Sequence, residues 1–182
     1  MDRAAELQSI YCQRFDGRQA YRNRIWQLLT RRFFGRFIPS DAAVLDLGCG
    51  YGEFINNVQC GAKFGMDLNP ASRQLLAEEV MFLEQDCSTT WPLGDGTLDV
   101  VFTSNFFEHL TGKDVLGATL DQVRRCLRPG GKLIAMGPNI RHVGGAYWDF
   151  WDHHLPLTEL SPEYHAIVTE SLFAAGITIG SA

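Results

Sequence analysis

A chain of 182 residues, 46% hydrophobic, 20% charged and carrying a net charge of −5, has the composition of one ordinary soluble domain with a real core. No apolar run approaches the roughly 20 residues of a membrane span, and residues 1–10 place Asp2, Arg3 and Glu6 where a signal peptide would be apolar. Five cysteines (Cys12, Cys49, Cys60, Cys87 and Cys126), odd in number and never spaced C-x-x-C, point to reduced thiols in a cytoplasmic protein and away from a disulfide framework or a zinc knuckle.

Residues 1–40 form an N-terminal helical segment, ahead of a main domain over 41–182. The segment holds eight arginines against three acids, whereas the rest of the chain holds eight basic groups against eighteen acids. Such a basic stretch fits docking on an acidic domain better than nucleic-acid binding, because no aromatic RNA-binding signature accompanies it. Within it, residues 19–37 read as a helix: Tyr21, Ile25, Leu28, Leu29, Phe33 and Phe37 step by three and four, with Trp26 and Phe34 off that stripe. Pro39-Ser40-Asp41 ends it.

Residues 43–47 are a short apolar run ending at glycines, the pattern of a buried strand. Asp46-Leu47-Gly48-Cys49-Gly50-Tyr51-Gly52-Glu53 follows. Alternate glycines permit a tight turn with no side chain between backbone and ligand, and a short helix over 54–58 would present its unpaired N–H groups there. A dinucleotide loop reads G-x-G-x-x-G, but Glu53 stands at the third position and would repel a pyrophosphate. Gly48-x-Gly50-x-Gly52 preceded by Asp46 instead resembles motif I of the class I S-adenosylmethionine-dependent methyltransferases.

The chain continues in that order. Residues 61–66 lead into a second strand, and Asp67 at its end is placed to accept ribose hydroxyls. Asn69-Pro70 starts a helix to Glu79, and 80–83 makes a third strand. The resemblance then gives Asp86 the adenine amino group and Cys87 a backbone N–H to the ring. Residues 98–103 form a fourth, central strand, opening onto Ser104-Asn105-Phe106-Phe107-Glu108-His109-Leu110, which looks like motif II. Thr111 and Asp114 make a capping box for a helix to Leu127. After a turn at 128–131, residues 132–136 form a fifth strand, and this stretch is close to motif III.

What the resemblance implies is a doubly wound, mostly parallel Rossmann-like sheet in three α/β/α layers, with S-adenosyl-L-methionine as cofactor. Its contacts would be Asp46, Gly48, Cys49, Gly50, Gly52, Asp67, Leu68, Asp86, Cys87 and Asn105. In methyltransferases of this type an N-terminal segment often lids the cofactor, a role open to Tyr11 or Tyr21.

Residues 140–160 are an aromatic, histidine-rich insertion just past the fifth strand, beside the ligand crevice of an open sheet. Asn139, Arg141, Tyr147 and Trp148 are candidates to touch the methyl acceptor, with inert packing over the core as the equal alternative. A proton on the acceptor calls for a base, and His109, His142, His153 and His154 are candidates. Asp149, Asp152, His153 and His154 also suggest a divalent metal, but adjacent histidines in one loop rarely chelate one ion, so none is expected. A helix over 161–175 and a sixth strand over 177–179 end the chain. The usual last antiparallel strand would be lacking, leaving an uncovered edge for a homodimer. The acceptor is expected to be a small molecule, sugar or lipid precursor. No N-P-P-Y-type loop follows the fourth strand, so nucleic acid is disfavoured. A non-catalytic or partner-dependent subunit of the same fold is the alternative.

Overall fold

The computed structural model describes residues 19–158 and 177–181. Tyr11 and the expected helix over 161–175 lie outside them. The chain divides into two compact units, residues 1–86 and 87–182, each built on three strands.

In the first unit the order is β3-β2-β1, from β1 (Ala43–Leu47), β2 (Ala62–Asp67) and β3 (Val80–Glu84). Both pairings are parallel, Leu45 opposite Phe64 and Gly65 opposite Phe82. β1 is covered on both faces, with Val44, Leu45 and Leu47 fully buried, and that is why it reads as a continuous apolar run. Helix α1 (Gln19–Arg32) is followed by a 3-10 turn, Phe34–Arg36, so the helix expected over 19–37 breaks at Phe33.

The inward face of α1 corrects the sequence reading. Tyr21, Ile25 and Leu28 are exposed, while Thr30 and Phe34 are buried. The face that packs runs Arg22, Trp26, Thr30, Phe34, one step round from the expected stripe. Trp26 stacks on Phe34 and meets Phe54 edge-on, both at 6.2 Å between ring centroids. Aromatic pairs bring area and a preferred geometry together, and they outweigh the aliphatic stripe.

Two other helices are shorter than expected. Residues 54–58 make helical turns, Asn57 N donating to Phe54 O at 3.0 Å and Val58 N to Phe54 O at 2.9 Å, without a regular helix. Asn69 caps a 3-10 helix, Pro70–Leu75, its side chain accepting from Ala71 N. It stops at Leu76, whose backbone is extended and whose side chain is buried.

The second unit orders β4-β5-β6, from β4 (Leu98–Ser104), β5 (Leu127–Met136) and β6 (Ile177–Ser181). β4 and β5 are parallel. Leu98 pairs with Leu127 and Val100 with Lys132, so residues 128–131 loop out as the expected turn. β6 runs antiparallel to β5, Ile134 opposite Ile179. An antiparallel strand therefore does lie beside β5, contrary to expectation, and covers the edge that was to stay open.

Helix α2 (Lys113–Cys126) buries Leu116, Thr119, Leu120, Val123 and Cys126, a stripe at helical spacing that packs on β5. Its N-cap is Gly112, with no side-chain cap bond. The expected capping box does not form, because Asp114 turns its carboxylate back over Gly112, where a Cβ would lie 2.5 Å from Oδ1. Arg125 reaches from the last turn of α2 to the carbonyls of Trp91 and Leu93 and to Asp95, holding the preceding loop. No helix among the described residues is long and apolar enough to cross a membrane.

Candidate active site

The glycine loop hangs from the end of β2. Gly48 N and Cys49 N both donate to Met66 O, at 2.9 and 3.0 Å. Gly48, Gly50 and Gly52 all take positive φ (72°, 48° and 72°), the left-handed region where a side chain costs roughly 1–2 kcal/mol. At Gly52 a Cβ would also lie 2.5 Å from Leu76 Cδ2 and 3.0 Å from Asn56 Nδ2. Leu76, set by the early end of the 3-10 helix, is what makes that glycine obligatory.

Asp67 ties the loop down. Gly50 N donates to its Oδ2 and Asn69 N to its Oδ1, each at 2.8 Å. Burial raises its carboxyl pKa, and the backbone N–H groups of Asn69, Gly50 and Leu68 pull it back. Asp46 lies deeper. Burial holds its carboxyl well above the usual range, the Ile55 N–H opposes that, and the charges of Asp67 and Glu53 push it higher. Burial also drives the Cys49 thiol pKa up, so this cysteine is a packing group. The charge of Asp67 thus presses on Asp46, and a ligand bearing positive charge would relieve it.

Sequence reasoning missed what holds Glu53. Arg22 of α1 grips it with a hydrogen bond, Nη2 to Oε2 at 3.0 Å, and an ion-pair contact, Nε to Oε1 at 2.9 Å. Glu53 was expected to add free negative charge beside the ligand; instead an arginine neutralises it. Asn57 Nδ2 donates to Asn23 Oδ1 at 2.6 Å, so α1 is bound to the loop's exit at two places. Tyr21, considered as a lid, is 68% exposed.

Gln85 N donates to Asp67 O at 3.2 Å, which leads the chain to Asp86, half-buried, as the first unit ends. Leu68 is likewise half-buried. In the second unit Cys87 is buried, its carbonyl accepting from Trp91 Nε1 at 2.8 Å and its sulfur from Thr119 Oγ1 at 3.3 Å. Asn105, at the end of β4, is the one non-glycine residue of positive φ among the described residues, at 49°. Its N–H donates to Met136 O at 2.8 Å.

Of the four candidate histidines, the structure brings two together. The rings of His109 and His153 are 4.9 Å apart. His109 Nδ1 lies 2.9 Å from the Asp152 carbonyl oxygen and 3.3 Å from Asp152 Oδ2. His153 stacks on Tyr147, centroids 4.3 Å apart, and its Nδ1 lies 2.7 Å from Tyr147 O. His142 and His154 are exposed. Glu108, not singled out from sequence, is buried at the centre of this cluster. Tyr147 donates its hydroxyl to Glu108 Oε1 at 2.9 Å, and the Glu108 carbonyl accepts from His154 N and Leu155 N. Burial, with help from Asp152, raises the Glu108 carboxyl. The only sequence signal for it was an acid between Phe107 and His109, directly after two aromatics.

Asn139 bridges to Leu157 and accepts from Arg141 N through its side chain. Arg141 is exposed. Trp148 meets Tyr147 edge-on, and its buried indole N–H has no acceptor among the described residues.

Comparison with known proteins adds a family. A family model described as a methyltransferase domain matches residues 45–135. An uncharacterised 37.1 kDa protein in transposon TN4556 of Streptomyces fradiae is 27% identical over an alignment of 172 positions, with 89% of this chain and 45% of that protein covered. The chain spans about half the length of the curated relatives it matches. Among solved structures, a chain of the Haloferax volcanii complex containing the Trm112 methyltransferase activator superposes with a TM-score of 0.72 at 19% identity, covering 92% of this chain and 94% of that one. A SAM-dependent methyltransferase from Archaeoglobus fulgidus gives 0.64 at 21% identity, covering 78% and 66%. Likeness at these identities shows the fold, which is Rossmann-like α/β.

Proposed function

Because this chain belongs to the methyltransferase-domain family, we propose that it moves the methyl group of S-adenosyl-L-methionine to an oxygen or nitrogen of a small molecule, sugar or lipid precursor. The observation that carries the reading is Asp67, a carboxylate at the end of β2 with each oxygen anchored by a loop N–H. Each oxygen keeps lone-pair capacity for ribose hydroxyls. The charge of Asp67 beside the buried Asp46 favours a cationic ligand over a pyrophosphate. When bound, the cofactor supplies an electrophilic methyl on a sulfonium.

The rest is the work of the chain. Gly48, Cys49, Gly50 and Gly52 shape the cradle, Asp67 and Leu68 hold the ribose end, and Asp86, Cys87 and Asn105 complete the cofactor set. Arg22 holds the loop's exit, a capping role for residues 1–40. Alignment and exclusion of water are the main catalytic terms in such a transfer. Asn139, Arg141, Tyr147 and Trp148 are assigned to the acceptor, with the Trp148 N–H as a ready donor. The acceptor's proton leaves near His109 and His153, the two histidines that share one cluster; His142 and His154 are secondary. The cytoplasm is its assigned compartment, on five cysteines that are odd in number and never spaced C-x-x-C.

A second reading, a partner-dependent enzyme, has one observation in its favour: the Haloferax volcanii complex contains an activator. The homodimer expected through an open edge beside β5 loses that edge to β6, and solution mass against concentration tests whether two copies pair otherwise.

Calorimetric titration with S-adenosylmethionine, S-adenosylhomocysteine and NADH tests the cofactor. Micromolar binding of the first two and none of the third is expected. NADH binding alone would overturn the proposal.

A further inference from the structure

His109, Asp152 and His153 each offer one ligating atom, and these three atoms lie within 4.8 Å of one another. The first comes from the turn after β4, 43 positions before Asp152, so no local spacing could announce the set. We propose that this cluster is a binding site for one first-row divalent metal ion, with Zn²⁺ as the representative.

The second observation is how the rings are held. A backbone carbonyl can only accept, so the 2.7 Å contact with Tyr147 O places the proton of His153 on Nδ1 and leaves the lone pair on Nε2. His109 turns its Nδ1 toward the Asp152 carbonyl oxygen at 2.9 Å, which fixes the same tautomer. Metal-ligating histidines characteristically donate their other ring N–H to a carbonyl or carboxylate, which orients the ring and raises its basicity. Here both rings are so held before any ion arrives. The hydroxyl of Tyr147 is in turn fixed by Glu108 at 2.9 Å, giving the ring support a further layer.

Two imidazoles and one carboxylate suit Zn²⁺, Co²⁺, Mn²⁺ or Fe²⁺ and disfavour Mg²⁺ and Ca²⁺, which prefer all-oxygen sites. Bond lengths of about 2.0–2.2 Å put tetrahedral ligand atoms about 3.4 Å apart. Asp152 Oδ2 lies 3.3 Å from His109 Nδ1, so its carboxylate turns to join the two Nε2 atoms on an ion. The side chains of His109 and Asp152 are 25% and 16% exposed, so an ion can enter from solvent. Three protein ligands leave a coordination position open. That an acceptor oxygen takes this position, losing its proton more readily there, rests on the methyl-transfer reading; binding of the ion does not.

The test uses chelator-treated full chain titrated with Co²⁺ and followed by visible absorption, with Zn²⁺ calorimetry alongside. One equivalent and d–d bands of a nitrogen-oxygen site are expected, displaced by Zn²⁺ and not by millimolar Mg²⁺. Asp152→Asn and His153→Ala should each weaken binding about tenfold or more, and Asp149→Asn, at an exposed neighbouring position, should leave it unchanged. His109→Gln provides a variant in a different segment should the 152–153 variants fold poorly. Absence of bands and heat in the unmodified protein would overturn the site. So would binding that survives in the His109, Asp152 and His153 variants, which would place the ion on exposed histidines. Loss of methyl transfer with metal binding intact would strike the functional reading and leave the site standing.

Discussion

Asp67 and Asp46 carry the sharpest residue-level expectations. Asp67→Ala removes the acceptor of two loop N–H groups and of the ribose hydroxyls, so S-adenosylhomocysteine should bind at least about tenfold more weakly, or about 1.4 kcal/mol, in calorimetry. Asp67→Asn, which keeps one acceptor oxygen, should fall between. Equal affinity in all three would remove Asp67 from the cofactor set. Asp46 speaks through pH. Its folded pKa is raised, chiefly by burial, so the folded state holds the proton more tightly than the unfolded chain does. Stability from this group is full below the unfolded value and is lost as pH rises from there through the folded pKa. Asp46→Asn cannot ionise and can still accept from Ile55 N–H. Its melting temperature should exceed the parent's at pH 7, and the difference should shrink toward pH 4. A gap independent of pH would mean that the aspartate is not the titrating group.

At the level of elements, the strands and the helix over 113–126 were legible, while the packing face of α1 and the lengths of the other helices were not. β1, β2, β3 and β4 fall within a residue or so of the expected spans, because each is a short apolar run closed by glycine or a polar turn. Helices are chosen by what they pack against, and that is tertiary information. The stripe of Tyr21, Ile25 and Leu28 is as regular as a packing face, yet Trp26 and Phe34 won because Phe54 stands opposite them. The segment after Pro70 stops at Leu76, whose buried side chain lies against Gly52, a contact that no local spacing encodes. The glycine loop was readable as a turn, since its glycines and acids are contiguous or end adjacent strands. The histidine cluster was not, because its members come from two segments and are joined by backbone carbonyls that no side-chain pattern encodes. Arg22 is the same kind of long-range partner, 31 positions from Glu53. Truncating Arg22 to Ala strands a half-buried carboxylate at the exit of the glycine loop. With both groups partly in solvent, the loss should be about 1 kcal/mol in urea unfolding. A double-mutant cycle with Glu53→Gln isolates the pair; a coupling energy of zero would show that α1 is held by its aromatic packing alone.

For the molecule as a whole, the test of the cofactor reading is thermodynamic. A ligand that binds only the folded state stabilises it by mass action, about 2.7 kcal/mol at a hundredfold excess over Kd. A chain of this size gains roughly 2–4 °C in melting temperature per kcal/mol. S-adenosylhomocysteine at that excess should therefore raise Tm by about 5–10 °C, and NADH should leave it unmoved. The shape of the transition carries more than its midpoint. The proposed contacts fall mostly in residues 1–86, with Cys87 and Asn105 in the unit that follows. If scanning calorimetry gives one transition that shifts entire, unfolding of both units is linked to the ligand. If it splits and only one step moves, contacts limited to that step's unit account for binding, and Cys87 and Asn105 lose their assignment should that unit be the first. Zn²⁺ supplies the complementary probe, since its three proposed ligands all lie beyond residue 87. An ion and a cofactor analogue that moved separate steps would locate each site by unit without any assay of turnover.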